Sequence, residues 1–400
     1  MRRKIYKYIK GIGSPFYIYD KQSIQENTAR LKKYFASCDA AMYYAVKANT
    51  SIAVLHTVMQ NGFGAEVVSP GELYIARKAG FKPGSILYNN IARREEDIMY
   101  ALRNNVRSFN FEALDQAEIL ESCARRVGKK IELFARINPG IFPETHPHLS
   151  TGAPSSKFGL ERSQFDSIVK LVSRFRYAKM IGIHSHIGSQ ILTPTPFVRN
   201  IRTVRSWIDF FRKHDISIRA VNLGGGFGIV YHPKESPLDY RPIIRAYKGL
   251  ARTHGVKIML EPGRSVVGNA GFIVTRVISV KKRRGRPLYI IDAGMTENPR
   301  PALYQAYHHI DATTRSRCDR HRVRVAGPLC ENSDEFGIYS LPELKCGDLL
   351  VIHNCGAYTR TMASNYNGRL LPSEYLFERD NLVIIRNAQN FHSLIQNEVY

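Results

Sequence analysis

Four features of this sequence combine residue types that together suit one kind of chemistry. Lys47 ends an apolar segment, which desolvates its amine and favours Schiff-base formation with an aldehyde. The glycine triplet Gly224–Gly226 lets backbone N–H groups approach a phosphate closely. Glu261 can pair with a protonated ring nitrogen, and His186 can stack on the ring. An aldehyde, a phosphate and a pyridinium nitrogen together describe pyridoxal 5′-phosphate (PLP), whose ring is an electron sink.

These residues follow short apolar segments that alternate with segments of helical periodicity. Eight strand–helix repeats predict a (β/α)8 barrel. A doubly wound open sheet is the alternative, but it requires a glycine-rich turn after the first strand, and Ala45–Thr50 has none. The predicted strands are Ala41–Asn49, Gly64–Ser69, Ser85–Asn90, Arg107–Phe111, Lys130–Gly140, Lys179–Ser189, Ile218–Gly228 and Lys257–Arg264. The clearest predicted helices are Gly71–Ala79, Glu95–Asn104, Ala113–Val127 and Pro196–His214, the first begun by Ser69 and Pro70.

The alternation of strands and helices ends at about residue 270, after which predicted strands follow one another with few helices. We therefore predict a barrel domain over residues 25–270. Residues 1–24 and 271–400 are predicted to form a mainly-β domain that completes the active site. Its predicted strands are Phe16–Asp20, Gly271–Lys281, Arg286–Asp292, His321–Ala326, Gly347–His353 and Asn381–Arg386.

In a barrel of this kind the carboxyl ends of the strands meet on the ligand-binding face. Besides the residues above, that face is expected to receive Arg136, Asn138, Ser189 and Arg264, together with the proline-rich loop Ile141–Pro154. His184 alternates with His186 along one strand, so we expect His186 to face the ligand and His184 to be structural.

Composition narrows the class of protein. Hydrophobic residues make up 44% and charged residues 23%, which is typical of folded globular chains and excludes wholesale disorder. The 58 Lys and Arg exceed the 34 Asp and Glu, giving a net charge of +24. The densest basic runs, Lys281–Arg286 and Arg315–Arg324, lack interleaved aromatic residues, and no nucleic-acid-binding motif is present. A nucleic-acid-binding protein therefore stays an alternative that only the charge supports.

The cysteines and the apolar segments indicate the cellular compartment in which the protein is expected. No segment has the length of a membrane-spanning helix and no secretory signal is evident, so a cytoplasmic protein without a membrane partner is expected. No Cys or His group has the spacing of a metal site, and His308 and His309 are interpreted as structural. The cysteines other than Cys330 are expected to be ordinary free thiols: Cys38, Cys123, Cys318, Cys346 and Cys355.

The sequence resembles the fold type III PLP-dependent decarboxylases, a family with an alanine-racemase-type barrel, and most closely the diaminopimelate decarboxylases within it. The matching motifs occur in one order over nearly the whole chain. They are YYAVKAN (43–49), GAEVVSPGEL (64–73), STGAPSSKFGL (150–160), GIHSHIGSQI (182–191), NLGGGFGI (222–229), EPGRSVVGNAG (261–271), DAGMTENPRPALYQAYHHI (292–310), GPLCENSDEF (327–336) and GAYTRTMASNYNGR (356–369).

The resemblance implies roles for individual residues. The expected catalytic residues are Lys47, which would hold the cofactor covalently, and His186, Glu261 and Cys330. The expected cofactor contacts are Lys47, His186, Ser189, Gly224, Gly225, Gly226, Glu261, Gly263, Arg264 and Tyr358. The expected substrate contacts are Arg264, Arg300, Tyr304, Glu331 and Tyr358. The resemblance also implies a homodimer, in which Cys330 and Tyr358 reach the partner's active site.

The implied reaction is α-decarboxylation of meso-2,6-diaminopimelate to L-lysine. A guanidinium fork such as that of Arg300 binds the carboxylate that stays behind, which a lysine or ornithine decarboxylase does not need. The family usually has Cys-Glu-Ser-Gly-Asp where this chain has Cys330–Asp334 (CENSD), and the segment Thr296–Pro299 before Arg300 is atypical. A decarboxylase of another amino acid in a specialised pathway, an amino-acid racemase, and a non-catalytic PLP carrier remain alternatives. Glu261 argues against the racemase, because racemases place an arginine at the ring nitrogen.

Overall fold

The computed structural model describes residues 6–91, 94–142, 151–283, 285–313 and 320–399. The chain divides into two units. The first consists of Glu26–Ile229 and Ser236–Ser265. The second consists of Met1–Gln25, Val230–Glu235 and Val266–Tyr400. The chain starts in the second unit, with strand β1 (Phe16–Asp20).

The first unit is built on a closed barrel of eight parallel strands, in which each strand pairs with the next along the chain and the last pairs with the first. This confirms the predicted (β/α)8 barrel and excludes the open sheet. The barrel strands are β2 (Ala41–Ala45), β3 (Gly64–Val67), β4 (Ile86–Tyr88), β5 (Ser108–Phe111), β6 (Ile131–Arg136), β7 (Ala178–His184), β8 (Ala220–Asn222) and β9 (Lys257–Leu260). The helices up to the end of the barrel are α1 (Lys21–Phe35), α2 (Ile52–Gln60), α3 (Pro70–Lys78), α4 (Glu95–Arg103), α5 (Leu114–Arg126), α6 (Phe165–Val172), α7 (Thr195–Lys213), α8 (Tyr240–His254) and α9 (Arg264–Val267).

Apolar side chains fill the barrel and fix its register. A buried cluster joins five strands through Leu87, Phe134, Ile181, Ala220 and Met259. Strands enclosed on both sides read as continuous apolar runs, which is why the sequence pattern located all eight. The carboxyl ends of these strands lie at one mouth of the barrel.

The start of α3 shows how local sequence sets an element boundary. The Ser69 hydroxyl accepts a hydrogen bond from the Glu72 N–H at 3.1 Å, and the Glu72 carboxylate accepts one from the Val68 N–H at 2.9 Å. Pro70 occupies the first helical position, where its missing N–H costs nothing. The predicted helix start is confirmed, and such a cap contributes about 1 kcal/mol.

The second unit is a nine-stranded sheet. The sheet order is β14-β13-β11-β10-β1-β16-β17, and β15 pairs with both β10 and β12. The strands are β10 (Gly271–Arg283), β11 (Arg286–Ile291), β12 (Ile310–Ala312), β13 (His321–Ala326), β14 (Glu335–Leu341), β15 (Leu349–Ile352), β16 (Glu374–Glu378) and β17 (Asn381–Arg386), with short helices α10 (Arg300–Tyr304) and α11 (His392–Ile395). The N-terminal strand β1 lies inside this sheet, antiparallel to β10 and parallel to β16.

Three strands of this sheet, β12, β14 and β16, were not predicted from the sequence. Strand β12 has only three residues, and Gly337 interrupts β14 with a φ of +113°, which L-residues rarely adopt. Across the described ranges, no helix combines the length and apolar character needed to cross a membrane.

Candidate active site

Lys47 lies just past the end of β2, in the 3-10 turn Val46–Ala48. Its amine donates to both carboxylate oxygens of Glu66, at 2.7 and 2.9 Å. The Lys47 side chain is 40% exposed, whereas the Glu66 side chain is fully buried. The expectation of a desolvated amine is therefore wrong, because the turn carries Lys47 beyond the apolar strand and a carboxylate partner favours the ammonium form.

Two acids, Glu66 and Glu72, interact with this lysine, and the sequence analysis assigned neither of them a role. The Asn89 side-chain amide donates to Glu66 at 2.9 Å. Burial raises the pKa of Glu66, and the Lys47 charge opposes that rise. Burial, followed by the negative charge of Glu66, raises the pKa of Glu72 to about 7. A lone acid inside the apolar segment Gly64–Val67 was the sequence signal for Glu66.

Glu261 follows the last residue of β9 and is buried. Asn222, at the end of β8, donates to one of its oxygens at 2.7 Å, and His184 Nε2 lies 3.4 Å from the other. Burial alone would raise the pKa of Glu261, but His184 and the positive charge of Lys47 outweigh burial and lower it to about 2. Glu261 is therefore ionised at neutral pH, and His184, predicted to be structural, is its direct neighbour.

His186 is held as a neutral ring. The Gly225 N–H donates to His186 Nδ1 at 3.2 Å, so the ring proton is on Nε2. Burial, followed by the positive charge of Arg136, lowers the pKa of His186 to about 3. Arg136, the last residue of β6, is buried and pairs with Glu112 at 3.2 Å.

The glycine triplet after β8 is required by close packing. Gly224 and Gly226 have positive φ values of +65° and +91°. A Cβ on Gly226 would lie 2.5 Å from the Gly188 carbonyl oxygen, and one on Gly225 would collide with the carbonyl of Glu261. The Gly224 N–H donates to Asn222 at 2.9 Å and the Gly225 N–H is used by His186, so Gly226 is the member of the triplet that we propose for the phosphate.

Arg264 and Ser189 form a hydrogen-bonded guanidinium–hydroxyl pair. Arg264 is buried at the start of α9 and donates to the Ser189 hydroxyl at 3.1 Å. Gly263 lies directly before it and is also buried. The barrel therefore presents an amine, a neutral imidazole, an ionised carboxylate and a guanidinium–hydroxyl pair. This donor set fits PLP, which needs a lysine, an acid at its ring nitrogen and phosphate donors.

Arg300 and Tyr304 begin and end α10 in the second unit. Arg300 is only 2% exposed. One of its guanidinium nitrogens lies 3.0 Å from His308 Nε2, and the guanidinium stacks over the Tyr231 ring at 4.5 Å from the centroid. His308 also contacts the His353 carbonyl through Nδ1 at 2.8 Å, so His308 donates there and accepts from Arg300. The sequence analysis missed both partners of Arg300.

Cys330 and Glu331 lie in the loop between β13 and β14 and are exposed in the single chain. Tyr358 follows β15, is half-buried and has a positive φ of +55°. The substrate contacts expected at Arg300, Tyr304, Glu331 and Tyr358 stay predictions.

The other cysteines that the structure describes are free thiols. Cys38, Cys123 and Cys355 are buried free thiols, and Cys346 is an exposed one. Burial raises the pKa of the Cys355 thiol far above its usual range. Cys318 lies outside the described residues. Among the residues that the structure describes, no group of His, Cys, Asp and Glu is arranged to hold a metal ion.

This barrel and its strand-end residues define the class of PLP-binding (β/α)8 proteins. A family model described as "pyridoxal-dependent decarboxylase, pyridoxal binding domain" matches residues 21–268. The chain therefore belongs to the pyridoxal-dependent decarboxylase family, whose members are PLP-dependent lyases.

Three relatives with near full-length similarity are diaminopimelate decarboxylases. The chain is 34% identical over 385 residues to the diaminopimelate decarboxylase of Aquifex aeolicus, a match that covers 96% of this chain and 91% of the relative. It is 33% identical to that of Methanocaldococcus jannaschii, covering 97% and 91%. The crystal structure of the Helicobacter pylori diaminopimelate decarboxylase complexed with L-lysine has a TM-score of 0.92 at 32% identity, covering 98% of each chain.

Proposed function

We propose that this protein is a PLP-dependent carboxy-lyase that converts meso-2,6-diaminopimelate to L-lysine and CO2, the last step of lysine biosynthesis. The observation that carries the proposal is similarity over both units at once: the match to the Aquifex aeolicus diaminopimelate decarboxylase covers 96% of this chain. It therefore includes the sheet unit with Arg300 and Cys330 as well as the cofactor barrel.

The barrel residues divide the binding of PLP among themselves. Lys47 is the covalent attachment point, and Ser189, Gly226, Gly263 and Arg264 bind the phosphate. Arg264 is also proposed to contact the substrate. When bound, the cofactor supplies a conjugated ring that accepts the electron pair left on the α-carbon as CO2 departs.

The acid–base states in the barrel suit this task. Glu261, with its pKa lowered to about 2, stays ionised and holds a proton on the ring nitrogen. His186 stays neutral, so it can stack on the ring without adding a second positive charge there. Glu66 accepts two hydrogen bonds from the Lys47 amine, so it is a base in direct contact with the proton that this amine must lose before it attacks an aldehyde.

The sheet unit supplies the contacts that select the substrate. The distal carboxylate, which is not lost, is assigned to Arg300, because a planar guanidinium can bind it through two parallel hydrogen bonds. The Tyr304 and Tyr358 hydroxyls add donors, and the Glu331 carboxylate takes the distal ammonium. Substrates that lack the distal carboxylate would leave Arg300 without its proposed ligand.

Cys330 is proposed to donate the proton that replaces CO2. A proton donor to a carbanion must be shielded from bulk water. Cys330 and Glu331 are exposed in the single chain, which supports the proposal that a partner subunit covers them in a homodimer. Mixing two inactive homodimers, Lys47→Ala and Cys330→Ser, would test this. Shared sites predict recovery of about a quarter of wild-type activity, and no recovery would contradict them.

The substrate assignment is tested with purified protein supplied with PLP. CO2 release is compared among meso-diaminopimelate, lysine, ornithine and arginine, and L-lysine formation from the first is measured with a dehydrogenase. We expect release from meso-diaminopimelate alone. The Arg300→Lys variant should raise KM for it by about tenfold or more, because an ammonium replaces a bidentate fork. Release from a different amino acid would support the specialised-pathway alternative and overturn this one.

The cellular setting is part of the proposal. Five free cysteines in the described residues agree with a reducing cytoplasm. We propose that the basic surface does not bind nucleic acid. A gel-shift assay with duplex DNA at about 0.15 M salt should therefore show no protein–DNA complex.

A further inference from the structure

A buried carboxylate in the sheet unit connects the two segments that carry the proposed substrate and proton-donor residues. Asp334 is 3% exposed and belongs to the same loop as Cys330. One of its oxygens accepts a hydrogen bond from the Met295 N–H at 2.6 Å. The other accepts one from the Leu329 N–H at 2.8 Å. Met295 lies on the segment that leads into Arg300.

Two glycines leave space for this carboxylate. A Cβ on Gly294 would lie 2.5 Å from an Asp334 carboxylate oxygen, and a Cβ on Gly327 would collide with the same group. Neither glycine has a positive φ. Both positions are therefore restricted by contact with Asp334 and not by backbone conformation.

The main chain of Asp334 holds the rest of the loop. The Gly327 N–H donates to the Asp334 carbonyl at 2.9 Å, and the Asp334 N–H donates to the Glu331 carbonyl at 3.1 Å. The Ser333 hydroxyl also contacts the Met295 sulfur at 3.8 Å. The turn with Cys330 and Glu331 is thus fixed at both ends and tied to the Met295 segment.

We propose that Asp334 is a positioning residue that holds the Cys330–Glu331 turn in register with the Arg300 segment. Asp334 is not one of the proposed cofactor or substrate contacts. It acts through two backbone N–H groups, which lie 34 residues apart in the chain. This inference rests on the proposed function for its catalytic consequence. The mechanical part, a carboxylate that ties two segments together, stands without it.

The test uses Asp334→Asn and Asp334→Ala in the full chain with PLP. Asparagine keeps the shape but has only one accepting oxygen, so one tie is lost; alanine loses both. We expect kcat/KM for meso-diaminopimelate to fall about tenfold for asparagine and about a hundredfold for alanine, as misplacement of reacting groups does. The visible absorbance of bound PLP should not change, because its proposed lysine lies in the other unit.

A second readout follows the loop directly. Alkylation of Cys330 by iodoacetamide, measured by peptide mass spectrometry, should become several-fold faster in Asp334→Asn, while Cys346 in the same sample reacts at its wild-type rate. Asp348→Asn is the matched control, since Asp348 also accepts a backbone hydrogen bond, from Lys345 at 2.8 Å, but in an exposed turn. It should leave both readouts unchanged.

Each outcome bears on one part of the inference. Wild-type kinetics and alkylation in folded Asp334→Asn would overturn it. If both variants fail to fold, hydrogen exchange of the native protein decides: slow exchange at the Met295 and Leu329 amides supports the tie and fast exchange contradicts it. Wild-type protein without activity on meso-diaminopimelate would reject the proposed function, while the alkylation and exchange results would still judge the tie.

Discussion

The barrel residues and the Cys330–Glu331 turn of the sheet unit are prepared for their proposed roles in opposite ways. In the barrel, the key groups are hydrogen-bonded within one unit: Lys47 to Glu66, Glu261 to Asn222, and His186 to a glycine amide. In the sheet unit, Cys330 and its neighbour Glu331 are exposed. A set whose partners are fixed by one unit is preorganised, whereas an exposed thiol and carboxylate need a further surface before they form a site.

Two buried carboxylates that interact electrostatically with Lys47 show a second contrast, inside the barrel itself. Glu66 and Glu261 are both buried, yet burial dominates at Glu66 and raises its pKa, while the positive neighbours of Glu261 lower its pKa to about 2. Environments that push two acids apart usually mark different roles. Here Glu66 is suited to receive a proton and Glu261 to remain charged.

The largest effect is expected from Lys47→Ala, which removes the covalent attachment point. The fall in kcat should exceed about a thousandfold, because the attacking amine is lost. The visible absorbance band of the lysine-bound cofactor should disappear as well. Lys170→Ala, on the exposed face of α6, is the control and should keep both. Retained activity in Lys47→Ala would break the comparison, since the barrel would then not be the preorganised half.

The sequence predicted the barrel well because its strands are buried on both faces. Continuous apolar runs such as Ile86–Tyr88 identify such strands, and the residues that follow them must meet at one mouth. The strand pattern alone therefore predicts that Lys47, His186 and Glu261 share one face. The electrostatic effect of Lys47 on Glu261 agrees with that placement.

The partners of these residues could not be predicted in the same way. Asn222 meets Glu261, and Asn89 meets Glu66, only because neighbouring strands of the closed barrel bring them together. Neither pair has a characteristic spacing in the sequence. In the sheet unit, Asp334 reaches Met295 across 39 residues, and short strands such as β12 have no periodicity to read.

A smaller effect is expected from Glu261→Gln, which sharpens the contrast between the two buried acids. The amide cannot hold a proton on the ring nitrogen by charge, so kcat should fall by about a hundredfold or more. The cofactor stays attached through Lys47, so its absorbance band should remain. Glu132→Gln, an exposed acid on β6, is the control. An unchanged kcat in Glu261→Gln would show that the low pKa of Glu261 serves stability alone.

The smallest expected effect concerns Glu72, which caps α3 and adjoins the Glu66–Lys47 pair. Its pKa in the folded chain is about 7, above its ordinary value of 4.5, chiefly because of burial. The folded state therefore keeps a proton that the unfolded state releases, and the stabilisation present below about pH 4.5 is lost as pH rises through 7. Glutamine at this position keeps the accepting oxygen for the Val68 N–H but cannot titrate.

Thermal unfolding of Glu72→Gln measures this contribution. Between about pH 5 and about pH 8, Tm of the wild type should fall by about 2 °C more than Tm of the variant, after allowance for screening by solvent at a half-buried group. Glu118→Gln, on the exposed face of α5, should follow the wild type. A variant with the wild-type pH dependence would mean that Glu72 is already ionised at neutral pH. The pKa values of the acids that interact with Lys47 would then differ less than their burial in the barrel indicates.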